Sequence, residues 1–156
     1  MNENIFEDKY NRYKTMVFNI SYSYLNNIFD TEDATQETFI RFYRKNKHFE
    51  QDSEERFYLI RITINVCKDI LKAKKRYVKV SEDKMNDIPT IYDETHLKHN
   101  IFDYVEALKP KHKEIIIYKY IEDLSHKEIA QMLGIKEESA RKRLERAIKE
   151  LRKIWR

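Results

Sequence analysis

Residues 125–155, SHKEIAQMLGIKEESARKRLERAIKELRKIW, decide how this chain folds. Ser125 and Glu128 stand in S-x-x-E spacing, a capping box in which each side chain satisfies a backbone N–H of the other, so a helix starts here. Ile129, Ala130 and Leu133 form its apolar stripe. Gly134, the only glycine in the chain, follows at the point where the backbone needs a left-handed residue to leave a helix. Ile135 plugs the turn, and a second helix begins near Glu137. Along that helix Ala140, Leu144, Ala147, Ile148, Leu151 and Trp155 fall on one face. Glu138, Lys142, Glu145, Arg146 and Lys149 fall on the opposite one, flanked by Arg141 and Arg143, with Ser139 in the first turn. The pattern is helix, tight turn, helix, with small Ala130 where the two would cross.

A helix that shows cations outward from such a hairpin has the width of the DNA major groove. Its first half can reach base edges while Lys and Arg reach phosphates. The bland alternative is a helical hairpin with a solvated basic face, but cap, turn, crossing residue and charge all agree on the first reading.

Composition extends the helical reading to the whole chain. The 156 residues include one Gly and two Pro, Pro89 and Pro110. That excludes glycine-rich phosphate loops and argues against a β-sandwich or barrel, which needs many turns at positive φ. Twenty aromatics require burial or a ligand, which argues against disorder. No apolar run is long enough to span a bilayer, the first ten residues lack a signal-peptide core, and one cysteine cannot form an internal disulfide; the expected location is the cytoplasm, without membrane insertion. The net charge of +4 conceals a pattern: residues 56–79 carry eight bases and one acid, residues 80–99 two bases and five acids, and the last stretch is basic again. Two basic stretches with an acidic one between them suggest two contacts with a polyanion.

Residues 5–25 read as a first helix. A break over residues 26–30 follows, with Thr31 as N-cap of a second helix running to about Lys45. On that helix Thr35, Phe39, Phe42 and Tyr43 share one side, and Asp33, Glu37, Arg41 and Arg44 share another. A polar loop, residues 46–53, surrounds Phe49. A third helix spans about residues 54–76, apolar at its start and basic at its end. Residues 79–99 read as an acidic linker. A short helix over residues 100–108 and another opened by Pro110 lead into the hairpin. The expected class is all-α: two small helical domains, residues 1–78 and 100–156, joined by a flexible linker.

At this point the chain resembles a sigma-70 family RNA polymerase sigma factor of the extracytoplasmic-function (ECF) type. Residues 124–147, LSHKEIAQMLGIKEESARKRLERA, are similar to the family pattern L-S-x-x-E-I-A-x-x-L-G-x-x-x-x-[ST]-V-[KR]-x-R-L-x-R-A, and residues 107–120, ALKPKHKEIIIYKY, to the segment before it. Other bacterial regulators share such a hairpin, so an autonomous helix-turn-helix regulator is the rival reading. The N-terminal half discriminates. Residues 30–45, DTEDATQETFIRFYRK, resemble the helix that docks on the coiled coil of the polymerase β′ subunit. Residues 58–76, YLIRITINVCKDILKAKKR, resemble the helix that melts and reads the promoter −10 element.

The resemblance implies a protein without a catalytic site or cofactor, binding core RNA polymerase through its β′ and β subunits and binding promoter DNA, and usually held off by an anti-sigma factor. It implies polymerase contacts at Asp33, Gln36, Glu37, Phe39, Arg41 and Arg44. It implies −10 contacts at Phe49, Asp52 and Ser53 of a base-capturing loop, and at Arg61, Asn65, Lys68, Lys72, Lys75 and Arg76 along the third helix. It implies −35 contacts at Glu138, Ser139, Arg141, Lys142, Arg143, Glu145, Arg146 and Lys149. The chain departs from the family pattern at Gln51, where the loop often has Gly, at Tyr58 and Glu55, where aromatics are usual, and at Glu138 and Ala140. Glu145 puts an acid on the DNA-facing side. Cys67 reads as a buried thiol. His96 and His99 stand in H-x-x-H spacing without a third ligand, so no metal is expected.

Overall fold

The computed structural model describes residues 2–84 and 101–155. Its helices are α1 (Glu3–Leu25), α2 (Ile28–Lys45), α3 (Asp52–Lys84), α4 (Ile101–Glu106), α5 (Pro110–Ile116), a π-helical turn (Ile117–Ile121), α6 (His126–Leu133) and α7 (Glu137–Trp155). No strand occurs among the described residues, and none of their helices is long and apolar enough to cross a membrane. His96, His99, Pro89 and most of the acidic stretch lie outside the described residues.

With one glycine available, asparagine ends the first two helices. Asn26 and Asn46 take left-handed C-cap conformations at φ 50° and 44°. Asn is among the few residues that tolerate this region. The expected N-cap of α2 was Thr31; the structure places it at Asn27, whose side chain accepts from the Asp30 N–H at 2.9 Å. The break is therefore two residues long, and Thr31 is a buried residue whose hydroxyl donates back to Asn27 O. The N-x-x-D spacing of Asn27 and Asp30 carried that signal in the sequence. The third helix continues past Arg76 to Lys84, so its end is not set by the basic run. Pro110 does open α5 at its first turn, where the missing N–H costs nothing.

The first three helices form a bundle. Tyr13, Val17, Phe39, Phe42 and Leu59 make one apolar centre of it. Glu55 is buried in the same bundle and ties α1 to α3: it accepts from Tyr13 Oη at 3.0 Å and from Lys9 Nζ at 2.5 Å. A second centre runs without interruption from this bundle into the C-terminal half. Ile20, Tyr24, Leu25, Ile60, Ile64 and Cys67 meet Val105, Leu108, Ile115, Ile117 and Tyr118, and these continue to Ile129, Ala140, Leu144 and Ala147. Burial pushes the Cys67 thiol up to about 12, which keeps it protonated and unreactive.

The hairpin is built as its spacing requires. Glu128 N–H donates to Ser125 Oγ at 3.1 Å and Ser125 N–H to Glu128 Oε1 at 3.0 Å. Gly134 sits at φ 65°, its N–H and that of Ile135 returning to Gln131 O at 3.4 Å and Ala130 O at 3.0 Å. These are the two reverse bonds of a Schellman stop. Ala130, Ala140 and Ala147 are buried where α6 and α7 meet. Trp155, at the end of the apolar face of α7, is 56% exposed, and its ring stacks on that of Tyr104 with centroids 5.1 Å apart. Tyr43, which shares a side of α2 with the buried Phe39 and Phe42, is 46% exposed.

Candidate nucleic-acid and polymerase interfaces

On α7, Glu138, Ser139, Arg141, Lys142, Glu145, Arg146 and Lys149 are all exposed, and Arg143 is half-buried. The buried alanines fix the helix by its back, so the charged face points away from the domain. Two of its cations are braced within the helix: Arg141 to Glu137 at 3.3 Å and Lys142 to Glu138 at 3.5 Å. Arg146 and Lys149 form no such pair among the described residues. Glu145 lies on the same exposed face.

On α3, Arg61, Asn65, Lys72, Lys75 and Arg76 are exposed and Lys68 is half-buried. Arg61, Asn65, Lys68, Lys72 and Arg76 recur at steps of three and four residues, so they form one row along the helix. Asp52 and Ser53 are exposed in its first turn. Asp52 faces Arg12 at 3.7 Å. Phe49 is half-buried and packs on Tyr58, with ring centroids 5.1 Å apart. Lys47 lies over both rings, 5.7 Å from Phe49 and 5.0 Å from Tyr58. Tyr58 therefore supplies the aromatic partner of the loop that its spacing left unassigned.

The α2 ridge divides. Asp33, Gln36 and Arg44 are exposed. Arg41 is held by Glu37 at 3.0 Å and by Asp69 of α3 at 3.1 Å, which clips α2 to α3. Phe39 is 3% exposed, so it shapes the ridge from within. Beside the ridge runs an apolar groove of about 680 Å³, lined by Phe6, Tyr10, Ile40 and Tyr43. Sequence periodicity pointed to no such groove, because its walls come from two helices.

The C-terminal half covers part of the α3 row. Lys68 Nζ bonds Glu114 Oε2 at 3.1 Å, and Arg61 donates to Met132 O at 3.3 Å. Arg56 donates to both Glu122 O at 3.1 Å and Glu122 Oε2 at 3.3 Å. Asn26 donates to Asp103 at 2.5 Å and to Glu106 at 3.1 Å. Lys113, 4% exposed, projects from α5 to within 4.2 Å of the Tyr24 ring centroid, and burial lowers its pKa. Burial raises the Glu122 carboxyl in spite of Arg56. The junction thus uses carboxylates and carbonyls of one half to occupy cations of the other, and it buries two charges at some cost.

Known proteins share these sequence patterns and this fold. The family Sigma-70 region 2 matches residues 10–77, and Sigma-70, region 4 matches residues 98–151. ECF RNA polymerase sigma factor SigE of Mycolicibacterium smegmatis is 30% identical over 145 residues, which cover 87% of this chain and 56% of that protein. ECF RNA polymerase sigma factor SigW of Bacillus subtilis is 28% identical over 166 residues, covering 97% of this chain and 89% of its own. The chain thus spans little more than half the length of SigE and most of SigW. Among solved structures, the sigma factor RpoE of Bartonella quintana, in complex with the anti-sigma factor NepR, superposes with a TM-score of 0.73 over 96% of each chain at 19% identity. CnrH, in complex with the cytosolic domain of CnrY, gives 0.71 over 99% of this chain and 89% of its own at 20% identity. At such identities the likeness is one of fold. With both sigma regions present in order on one helical chain, this protein belongs to the sigma-70 family of RNA polymerase sigma factors, in its ECF branch.

Proposed function

We propose that the chain binds core RNA polymerase and directs it to promoters, with no catalytic step of its own. Residues 1–78 form the polymerase-binding and −10 domain, residues 79–99 the linker, and residues 100–156 the −35 domain. Asp33, Gln36 and Glu37 on the α2 ridge meet the β′ subunit, and the C-terminal domain rests on β. The exposed face of α7 enters the −35 major groove, where Arg146 and Lys149 are ready for bases or phosphates without first breaking an internal pair. The α3 row follows the −10 strand, and the Phe49–Tyr58 pair offers a stacking surface for a base taken out of the duplex. Polymerase and promoter place the site of action in the cytoplasm.

The observation that carries this reading is the occupation of α3 by the C-terminal half. Lys68 and Arg61 are engaged by Glu114 and Met132 O. A phosphodiester strand along α3 would have to displace them. The two DNA faces therefore become usable together only once the halves separate, and the polymerase supplies that separation while holding both at fixed spacing. An anti-sigma factor, such as the one that RpoE of Bartonella quintana binds, would act by keeping the chain from that open form.

Run-off transcription with core polymerase tests the proposal. Initiation at defined start sites that depends on this chain supports it. Binding to duplex DNA without core, with no promoter-dependent transcript, would instead mark an autonomous regulator.

A further inference from the structure

The loop between α2 and α3 has little to hold it. Residues 46–54 are all exposed except Phe49, which is half-buried. The position of the loop is therefore set by that one ring and by its two ends. At the first end Asn46 closes α2 in the left-handed conformation, its N–H donating to Phe42 O at 3.3 Å. At the second end the first turn of α3 is tied to α1 by side chains. Lys9, Arg12 and Tyr13 stand three and four residues apart on α1, and Asp52 and Glu55 three apart on α3, so each set shares one helix face. Glu55, 4% exposed, accepts from Lys9 Nζ at 2.5 Å and from Tyr13 Oη at 3.0 Å. Burial, and after it the bond to Glu55, raises the pKa of the Tyr13 phenol, which keeps its proton available to donate. Asp52 faces Arg12 at 3.7 Å, an exposed pair that adds little by itself. Lys9 also lies over the Phe42 ring, 5.8 Å from its centroid, so one ammonium from α1 meets both α2 and α3.

Stability alone does not account for a carboxylate at this place. Tyr13, its partner, belongs to the apolar centre of the bundle. An apolar residue of similar volume commonly holds such a site at least as well as a buried ion pair. What the ion pair adds is direction. Two donors fix the carboxylate at definite distances and angles, whereas an apolar contact lets a helix slide or turn. We propose that Glu55 is a positioning residue for promoter melting: held by Lys9 and Tyr13, it fixes the first turn of α3 and so presets the loop that meets the displaced strand. This rests on the promoter reading above and adds to it a buried residue that reads no base and touches no polymerase. Its effect passes along two routes. The Glu55 N–H donates to Gln51 O at 3.4 Å, a backbone bond from the helix back to the loop, with Asp52 and Ser53 in the same turn. The other route runs through rings, from Phe42 to Tyr58 at 6.4 Å and from Tyr58 to Phe49 at 5.1 Å. A shift of the first turn of α3 therefore moves Phe49, Asp52 and Ser53 together. A loop already in place loses less freedom when the strand arrives. Glu55 stands where aromatics are usual in the family, so the anchor is this chain's own.

Promoter melting by the full chain with core polymerase tests this, at a promoter that passes the run-off assay above. Permanganate oxidation of unpaired thymines reports the melting equilibrium, and gel-shift titration in the cold reports affinity in the closed complex. Tyr13→Phe keeps the ring and removes only the hydroxyl. It should lower the melting equilibrium roughly three- to tenfold, the size of one lost hydrogen bond, and leave closed-complex affinity within about twofold. Glu55→Ala should lower melting further, and Glu55→Gln, which keeps an acceptor for Tyr13, should recover part of that loss. Val17→Ala opens a hole in the same apolar centre without touching the anchor, and urea unfolding matches its loss of stability to that of the Glu55 variants. It should melt the promoter as the unaltered chain does. Unchanged melting in both Tyr13→Phe and Glu55→Gln would overturn the positioning role. An equal melting loss in Val17→Ala would replace it with plain stability. A closed-complex loss as large as the melting loss would replace it with an altered polymerase or −35 contact. Where Glu55→Ala does not fold by circular dichroism, Tyr13→Phe and Glu55→Gln carry the same comparison. If no promoter passes the run-off assay, the promoter reading fails and the anchor's role with it; failure of the anchor alone leaves run-off by the unaltered chain intact.

Discussion

Replacing Arg56 with Ala should weaken closure of the two halves by about 2 kcal/mol, the middle of the ~1.5–3 kcal/mol range for hydrogen bonds to charged groups. Arg56 makes two bonds to Glu122, one to its backbone carbonyl and one to its carboxylate. The Glu122 side chain is only 7% exposed, so without Arg56 it remains a buried charge with no cation against it. Arg56 itself is 37% exposed, so water screens part of the interaction and the upper end of that range does not apply. A change of this size shifts the closed-to-open ratio about thirtyfold. Adding Glu122→Gln should recover roughly half of the loss, because a neutral amide costs less to bury than a carboxylate. The pH dependence has a definite sign. Burial raises the Glu122 pKa in the closed form. The closed form therefore holds this proton more tightly, and the contribution of Glu122 to closure is lost as pH rises through the raised value. The Arg56→Ala deficit should accordingly narrow as pH is lowered from neutral toward about 5, the approach to the ordinary carboxylate range. Small-angle scattering reports the separation of the halves, and urea unfolding followed at Trp155 reports the free energy. A deficit below about 0.5 kcal/mol would refute the argument. So would a deficit that Glu122→Gln leaves undiminished, or one that is the same at both pH values.

Gly134→Ala should cost about 1–2 kcal/mol from the left-handed backbone alone. No atom lies within 4 Å of the added methyl, so a larger loss would mean that the turn does more than reverse the chain. Arg146→Ala should weaken −35-dependent transcription by ~1–3 kcal/mol where it reads a base. Arg141→Ala should cost less, since Glu137 already holds that guanidinium; promoter titrations with each variant check the order. Glu37→Lys should lower affinity for core polymerase in a pull-down while the hairpin stays folded by circular dichroism. Part of that loss will come through Arg41, which loses one of its two carboxylates. Lys113→Met should tighten closure: the lowered pKa of Lys113 means that the closed form disfavours its proton, so wild-type closure should strengthen as pH rises toward 10.5 and the Met variant should lack that part of the rise.

Local features of this protein were legible because their causes are local. The capping box, the left-handed stop at Gly134 and the alanine seam of α6 and α7 each depend on residues a few positions apart, and each formed as spaced. The α2 start was legible too, in Asn27 and Asp30, but the hydroxyl of Thr31 drew attention four positions too far along. Glu55 illustrates the opposite case. Nothing in its neighbourhood marks a buried carboxylate; it is satisfied only because Tyr13 and Lys9, more than forty residues away in the chain, come to it.

The sequence by itself determined an all-helical chain, the reading hairpin near its end, and which faces of α2, α3 and α7 carry charge, because helix periodicity assigns faces without knowledge of neighbours. Tertiary structure decided what those charges meet. Arg41 became a clip between helices, and Lys68 and Arg61 became occupied by the opposite half. Periodicity says which way a side chain leaves its own helix. Only packing brings a second helix into its reach, and an ionic contact falls off over a few ångströms, so the pairing of these charges is a property of the assembled fold.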